Sequence, residues 1–435
     1  MFNKKNILLN HFYQIVFQQL PGKNVQKFLH NSFWSMGGGL LAFSFLFLAN
    51  ILAGRWLGPE EYGKYNFILA IGNILSILLV LDIDTGITYF ISKYPEKKKR
   101  IKYISSFYFL FIFLCLTIFS LLILSSFFLL NIEGVNLTIL LSSLLLGLLI
   151  ANKRIAEAII RGSKKFKYQS ISKITEGISV LLILVFNIFL LKQSTYKSYL
   201  VAILIGGTIL ILLYFHYIRK YFSLSLVYLK NIRQIFNYSR YGIINSLSTL
   251  VFKGLDKIVI ITLLGTYQLG IYSAYYTISI LLSARLIQLF VNVFFPSITK
   301  LVNKKKIYNK INQFLIKLSL PIFIGYIFLM RILFYFFGKD YPLHWNWLII
   351  LSFYFLFHFS ANLYGWILAS LHSSGYYYQN KGTILALFVF IFLIFIAYIN
   401  NSFTIEWLFI SLASSKLILT IFYNRIALFL LNKQE

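Results

Sequence analysis

Apolar runs of about 20 residues or more recur along most of the chain, separated by short polar stretches. Their limits fall near 31–54, 65–92, 103–130, 135–160, 172–191 and 197–218, then near 238–263, 270–299, 309–336, 344–371, 380–399 and 404–430. At 1.5 Å rise per residue, ~20 residues cross the ~30 Å hydrocarbon core of a bilayer. Barrel strands would alternate apolar and polar positions, and Leu121–Leu124 and Leu144–Leu146 do not. The pattern predicts an all-α polytopic membrane protein of about twelve helices, six in each half.

One short motif occurs twice in this pattern. Leu57-Gly58, four residues, Gly63, one residue and Tyr65 recur as Leu264-Gly265, four residues, Gly270, one residue and Tyr272, at an offset of about 207 residues. Each copy follows one apolar run and opens another, which suggests two halves built on one plan, each motif a structural turn fixing its own half. Lys253 and Asp256 align at that offset with Leu46 and Ala49, so helix charges are not duplicated with the scaffold.

Composition agrees with the solvent that the pattern implies: 59% of residues are hydrophobic and 12% charged. A soluble domain of this size cannot hide twelve all-round apolar helices. The net charge of +29 invites a nucleic-acid reading, so the placement of the cations decides. Lys97–Arg100, Arg161 with Lys164, Lys165 and Lys167, Arg219 to Arg233, and Lys304–Lys306 fall on one side of the predicted bundle. The loops around Gly58, Asn131, Lys192, Tyr267, Lys339 and Asn401 carry few cations. By the positive-inside rule both termini are cytoplasmic, and the basic excess is an orientation signal that also suits anionic membrane lipids, not nucleic acid. The expected organisation is an interfacial N-terminal segment at 1–30, a first lobe at 31–218, a basic cytoplasmic linker at 219–237, a second lobe at 238–430 and a tail at 431–435. A single cysteine, Cys115, excludes an intrachain disulfide and a cysteine metal cluster.

Three stretches carry a family resemblance: Asn31-Ser32-Phe33-Trp34, Ala53 to Tyr65, and Asp84-Thr85-Gly86-Ile87-Thr88. With Leu255-Asp256-Lys257 and Leu269-Gly270-Ile271-Tyr272, they resemble the polysaccharide-transport family, the Wzx-type flippases of lipid-linked oligosaccharides. The resemblance implies the MATE-like MOP fold, two six-helix lobes around a central cavity, in a bacterial inner membrane. It implies transfer of an undecaprenyl-pyrophosphate-linked glycan between leaflets for O-antigen or capsule synthesis. Coupling to H+ or Na+ and cooperation with polysaccharide polymerase or chain-length proteins belong to the same expectation, which involves no cofactor and no covalent chemistry.

Ionisable residues at membrane depth narrow the site independently, because each costs about 2.5–3.5 kcal/mol at the bilayer centre unless it meets water or a partner. Lys253, Asp256, Arg285 and Lys416 fall nearest the middle, with Lys153, Arg154, Glu157, Glu176 and Lys317 nearer the cytoplasmic side. Cations exceed acids, as a pyrophosphate path requires. Arg285, Lys253, Lys416, Lys153, Arg154 and Lys317 are the candidate headgroup cations, and Asp256 and Glu157 the charge partners or coupling groups. The alternatives are internal neutralisation of Lys253 and Lys257 by Asp256 on one helix face, and a ladder of Arg154, Glu157 and Arg161 that only staples its own helix. Tyr275, Tyr276, Tyr354, Tyr364 and Trp366 lie deep enough to stack on a sugar or simply to pack.

Enzyme signatures are thin: His11, His30, His216, His344, His358 and His372 show no metal-ligand spacing, and no phosphate loop or nucleophile elbow appears. Two rivals to the flippase remain at this stage. One is a multidrug or small-metabolite antiporter, which would favour acids for cationic drugs, and the other a membrane polymerase or glycosyltransferase, for which the outer loops are short.

Overall fold

The computed structural model describes residues 34–94, 96–129, 137–219, 228, 230–239, 254–288 and 304–432. The segment expected at 1–30, residues 220–227 and 229 of the linker, and Lys253 lie outside them. Every regular element among the described residues is helical: α1 (Gly39–Val80), α2 (Ile83–Lys93), α3 (Lys97–Leu129), α4 (Leu137–Gly162), α5 (Phe166–Phe189), α6 (Tyr196–Ile218), α7 (Asp256–Tyr276), α8 (Lys304–Tyr335), α9 (Trp345–Ala369), α10 (His372–Ile399) and α11 (Ile405–Asn432).

Nine helices among the described residues are long and apolar enough to cross a membrane, and two of these are hairpins, not rods. Helix α1 breaks at Gly58 (φ 74°, ψ 169°) and α7 at Gly265 (φ 86°, ψ 177°), a backbone region open in practice only to glycine. Side-chain contacts prove the reversal. The Tyr62 hydroxyl donates to Asn50 Oδ1 at 2.9 Å across 12 residues, which an unbroken helix would hold ~18 Å apart. The Tyr272 hydroxyl reaches Asp256 Oδ2 at 2.5 Å across 16 residues, ~24 Å along a straight helix. The limbs of the two hairpins, α3 and the seven other spans fall on the twelve runs of the hydrophobic pattern, with residues 240–253 and 289–299 of two of those runs outside the described residues.

The chain divides into two compact units: 1–49 with 71–246, and 50–70 with 247–435. In the first, Ile87 and Ile91 of α2, Phe107 of α3, Ile155 and Ile159 of α4 and Tyr214 of α6 form a buried core. In the second, α9 is the most enclosed helix, with α8, α10 and α11 packed around it. The outer faces stay apolar: Ile316 and Phe328 on α8 and Phe388 on α10 are 78%, 63% and 65% exposed. Contiguous apolar surface of this kind is tolerated only where the surrounding medium is lipid.

The stretch 50–70 joins the second unit because the two glycine turns interlock. A Cβ on Gly63 would overlap the Thr266 carbonyl oxygen, and one on Gly270 would overlap the Pro59 carbonyl oxygen. Pro59 and Thr266 are repeat mates, as are Gly63 and Gly270, so the contact is made twice with the roles exchanged. Around it Asn50 Nδ2 and the Tyr62 hydroxyl lie 3.3 and 3.2 Å from Thr277 Oγ1, and the Tyr341 hydroxyl donates to the Gly54 carbonyl at 2.8 Å. Burial pushes the Tyr341 phenol up, which keeps it a donor.

Gly58→Ala, Gly63→Ala and Gly270→Ala are each expected to destabilise the protein by about 1–3 kcal/mol in detergent thermal unfolding. Gly325→Ala, where a methyl meets nothing within 4 Å, should leave the midpoint unchanged. Tyr272→Phe should cost more than Tyr62→Phe, about 1–3 against about 1 kcal/mol, because it strips a buried carboxylate of its donor. Equal losses would remove that distinction.

Candidate functional site

The candidate charges divide by unit. In the first, they pair between helices instead of along α4. Lys153 binds Glu176 of α5, the Arg154 guanidinium meets Asp84 of α2 at 3.2 Å, and Glu157 takes Lys173 Nζ and Gln169 Nε2 at 2.7 and 2.8 Å. Each pair sits at or near membrane depth, where pairing offsets much of the cost of a lone charge and where removing one partner strands the other. These residues fasten α2, α4 and α5 to one another.

In the second unit Asp256 is 1% exposed. Its Oδ2 accepts the Tyr272 hydroxyl, while Oδ1 has no hydrogen-bond partner among the described residues. The neighbouring Lys257, also buried, reaches Asn66 Oδ1 at 3.4 Å and lies 5.0 Å from the centre of the Tyr276 ring. The acid and the amine beside it are therefore held by different groups, both from limbs that follow a glycine turn. Arg285 is half-buried and donates from Nη1 to Gln288 Oε1 at 3.0 Å. Lys317 is exposed on α8.

Lys416 of α11 lines an open cavity of about 340 Å³ within this unit, whose other walls come from α9 and α10. His358, Asn362, Trp366, Gln379 and Tyr423 are among its other lining residues, and no carboxylate is. The polar groups are fixed by backbone: Asn362 Nδ2 donates to the His358 carbonyl at 2.8 Å, Gln379 Nε2 to the Gly365 carbonyl, and the Tyr423 hydroxyl to the Gln379 carbonyl at 2.9 Å. His358 Nδ1 is buried with no hydrogen-bond partner among the described residues. Sequence reading found Lys416 and Trp366 but not the group. The missed signal was local: His358, Asn362 and Gly365 fall at i, i+4 and i+7 of an otherwise apolar helix, a polar stripe on one face. Of the other aromatic candidates, Tyr275 and Tyr276 are core residues, the former hydrogen-bonded to the Pro342 carbonyl at 2.9 Å. Among the described residues no group of three or more His, Cys, Asp or Glu could hold a metal ion.

Comparison with known proteins agrees with this architecture. A family model described as polysaccharide biosynthesis protein matches residues 28–302. A Shigella flexneri protein named "Putative O-antigen transporter" is 24% identical over 333 residues, covering 73% of this chain and 78% of that protein. Among solved structures, the inward-facing conformation of a multidrug resistance MATE family transporter of the MOP superfamily superposes with a TM-score of 0.71 at 14% identity, covering 91% of this chain and 99% of the other. A MOP superfamily transporter from Pyrococcus furiosus, whose description notes a binding pocket of reversed polarity and suggests a different function, gives 0.63 at 12% identity, over 99% and 98% of the two chains. Helix count, structural likeness and family match converge: this multi-pass membrane protein has the MOP superfamily fold and belongs to the polysaccharide biosynthesis protein family.

Proposed function

We propose that this protein is a flippase that carries undecaprenyl-pyrophosphate-linked oligosaccharide units from the cytoplasmic to the outer leaflet of a bacterial inner membrane by alternating access. The observation that carries the reading is the polarity of the cavity in a protein of this family: one lysine, amides and aromatic rings, with no carboxylate. Cationic drugs would need the opposite charge, which speaks against a multidrug antiporter. The Shigella relative, named for O-antigen, supports a surface polysaccharide as the end product.

In this reading Lys416, Arg285 and Lys253 attract the anionic headgroup, while the prenyl chain remains in lipid. Lys153, Arg154 and Lys317 contribute to the field that draws the pyrophosphate inward, the first two through the ion pairs that also hold their helices. Asp256, with one oxygen unpartnered, is the proposed H+ or Na+ coupling group, and Glu157 stays a charge partner inside its pair. The lysine-rich loops orient both termini to the cytoplasm, and a polymerase and chain-length protein would take the product on the far side.

Purified protein in liposomes should move a fluorescent lipid-linked oligosaccharide between leaflets without altering it. Formation of new glycosidic bonds would support the polymerase reading, and drug efflux without lipid transfer the antiporter reading. In cells, Arg285→Gln should reduce surface polysaccharide at least tenfold while the protein still reaches the membrane. Normal polysaccharide at normal protein level would take Arg285 out of the mechanism.

A further inference from the structure

Part of the basic linker is docked on the first unit. Residues 230–239 form a helix packed on α2 and α3, with Ile235 fully buried in the core of that unit. The Tyr103 hydroxyl donates to Gln234 Oε1 at 2.7 Å, and the Tyr228 N–H donates to Ser106 Oγ at 2.8 Å. A Cβ on Gly86 would come within 2.5 Å of Ser239 Oγ, so the linker helix lies directly against α2. Docking joins basic stretches that are 131 residues apart at the Tyr103–Gln234 contact. Together 86–108 and 228–239 hold eight lysines and arginines against one acid, Glu96.

An orientation signal needs cations in a loop, not cations in fixed places. Here tyrosines fix them. Lys102 Nζ lies 4.5 Å from the centre of the Tyr228 ring, Lys93 Nζ 5.5 Å from that of Tyr89, and Lys99 Nζ 5.5 Å from that of Tyr94. The rings are themselves stacked: Tyr238 on Tyr89 with centroids 4.5 Å apart, and Tyr94 on Tyr103 at 5.5 Å. A ring face attracts an ammonium group without neutralising it, so its charge and N–H donors stay available to an anion. Lys93, Lys230 and Arg233 are exposed, and so are Phe236 and Tyr238. Exposed cations mixed with exposed rings suit the headgroup layer of a bilayer, where ammonium groups meet phosphates and rings reach the acyl boundary. A phosphate ion in water would use the charge and leave the rings unused.

We propose that the docked linker helix, the end of α2 and the start of α3 form a binding surface for anionic phospholipids, with Lys93, Lys102, Lys230 and Arg233 on the phosphates and Phe236 and Tyr238 at the acyl boundary. The positive-inside rule assigns this end of the bundle to the cytoplasmic leaflet, whose anionic lipids supply the complementary charge. The surface belongs to the first unit alone and does not depend on what the protein transports. Lipid bound across it would hold the linker helix on α2 and α3.

Full-length protein in a neutral detergent, titrated with micelles carrying labelled phosphatidylglycerol or phosphatidylcholine and passed through gel filtration, reads lipid retention directly. Phosphatidylglycerol should bind at least tenfold more tightly. Each cation near an anionic surface strengthens binding about fivefold. Lys93→Gln with Lys102→Gln, and separately Lys230→Gln with Arg233→Gln, should therefore each weaken phosphatidylglycerol binding at least tenfold. Unchanged retention of phosphatidylcholine in both variants shows that the fold is intact. Replacing Lys304, Lys305 and Lys306 of the other unit by Gln removes more charge and should weaken phosphatidylglycerol less. An equal loss there, a loss in only one of the two double variants, or equal binding of the two lipids overturns the proposal. So does displacement of phosphatidylglycerol by inorganic phosphate or by polyglutamate at a lower concentration than by the lipid itself, which would make the ligand a small anion or an acidic protein.

Discussion

Backbone meeting backbone at two glycines is the constraint on which the second unit depends. Gly63 and Gly270 each leave room for the carbonyl of a residue in the other turn, and Gly58 and Gly265 adopt a conformation that makes those turns possible. A helix hairpin in a membrane protein must reverse within a few residues, because unpaired peptide groups are costly once they enter hydrocarbon. The reversal brings Asn50 to Tyr62 and Asp256 to Tyr272, so each turn is stapled from within by a phenol. The polar groups of the two staples lie in or beside the network that holds Thr277 and Lys257, which makes the turns and the buried charges parts of one structure.

Charge in a low-dielectric medium sorts the remaining ionisable residues into two roles. Where a cation has a carboxylate opposite it on another helix, as Arg154 has Asp84 and Lys153 has Glu176, the pair ties the two helices together. Where the lining around a cation holds no acid, as around Lys416, the local field extends into the cavity. Sequence spacing alone cannot separate the two. Arg154 and Glu157 are three apart and resemble a helix-face ladder, yet their partners lie 70 residues back on α2 and 16 residues on in α5.

The fold was therefore legible to a different depth from the site. Crossings are encoded by local composition, and the run lengths alone yield the twelve crossings. The turns were legible too, because a glycine with positive φ has few substitutes and the motif occurs twice. The fusion of 31–54 and 65–92 around one break at Gly58 was less visible, since Pro59 to Gly63 reads as a loop while its backbone is helical on both sides. Pairings such as Lys153 with Glu176, and the convergence of His358, Gln379 and Tyr423, depend on which helices are neighbours. Hydropathy says almost nothing about that, because in lipid every apolar face is an acceptable outer face.

This asymmetry links stability to function. The first unit neutralises its intramembrane charges internally and gains rigid contacts between α2, α4 and α5 by doing so. In the second unit the lining of the cavity that includes Lys416 holds no carboxylate, and in the proposed reading an anion would enter there. Any such ligand binds the folded state in preference to the unfolded one and stabilises it in proportion to its occupancy. A transporter needs that stabilisation to be temporary. In the proposed reading, a lining of one lysine, amides and rings with no carboxylate would let an anion enter at modest cost and leave again.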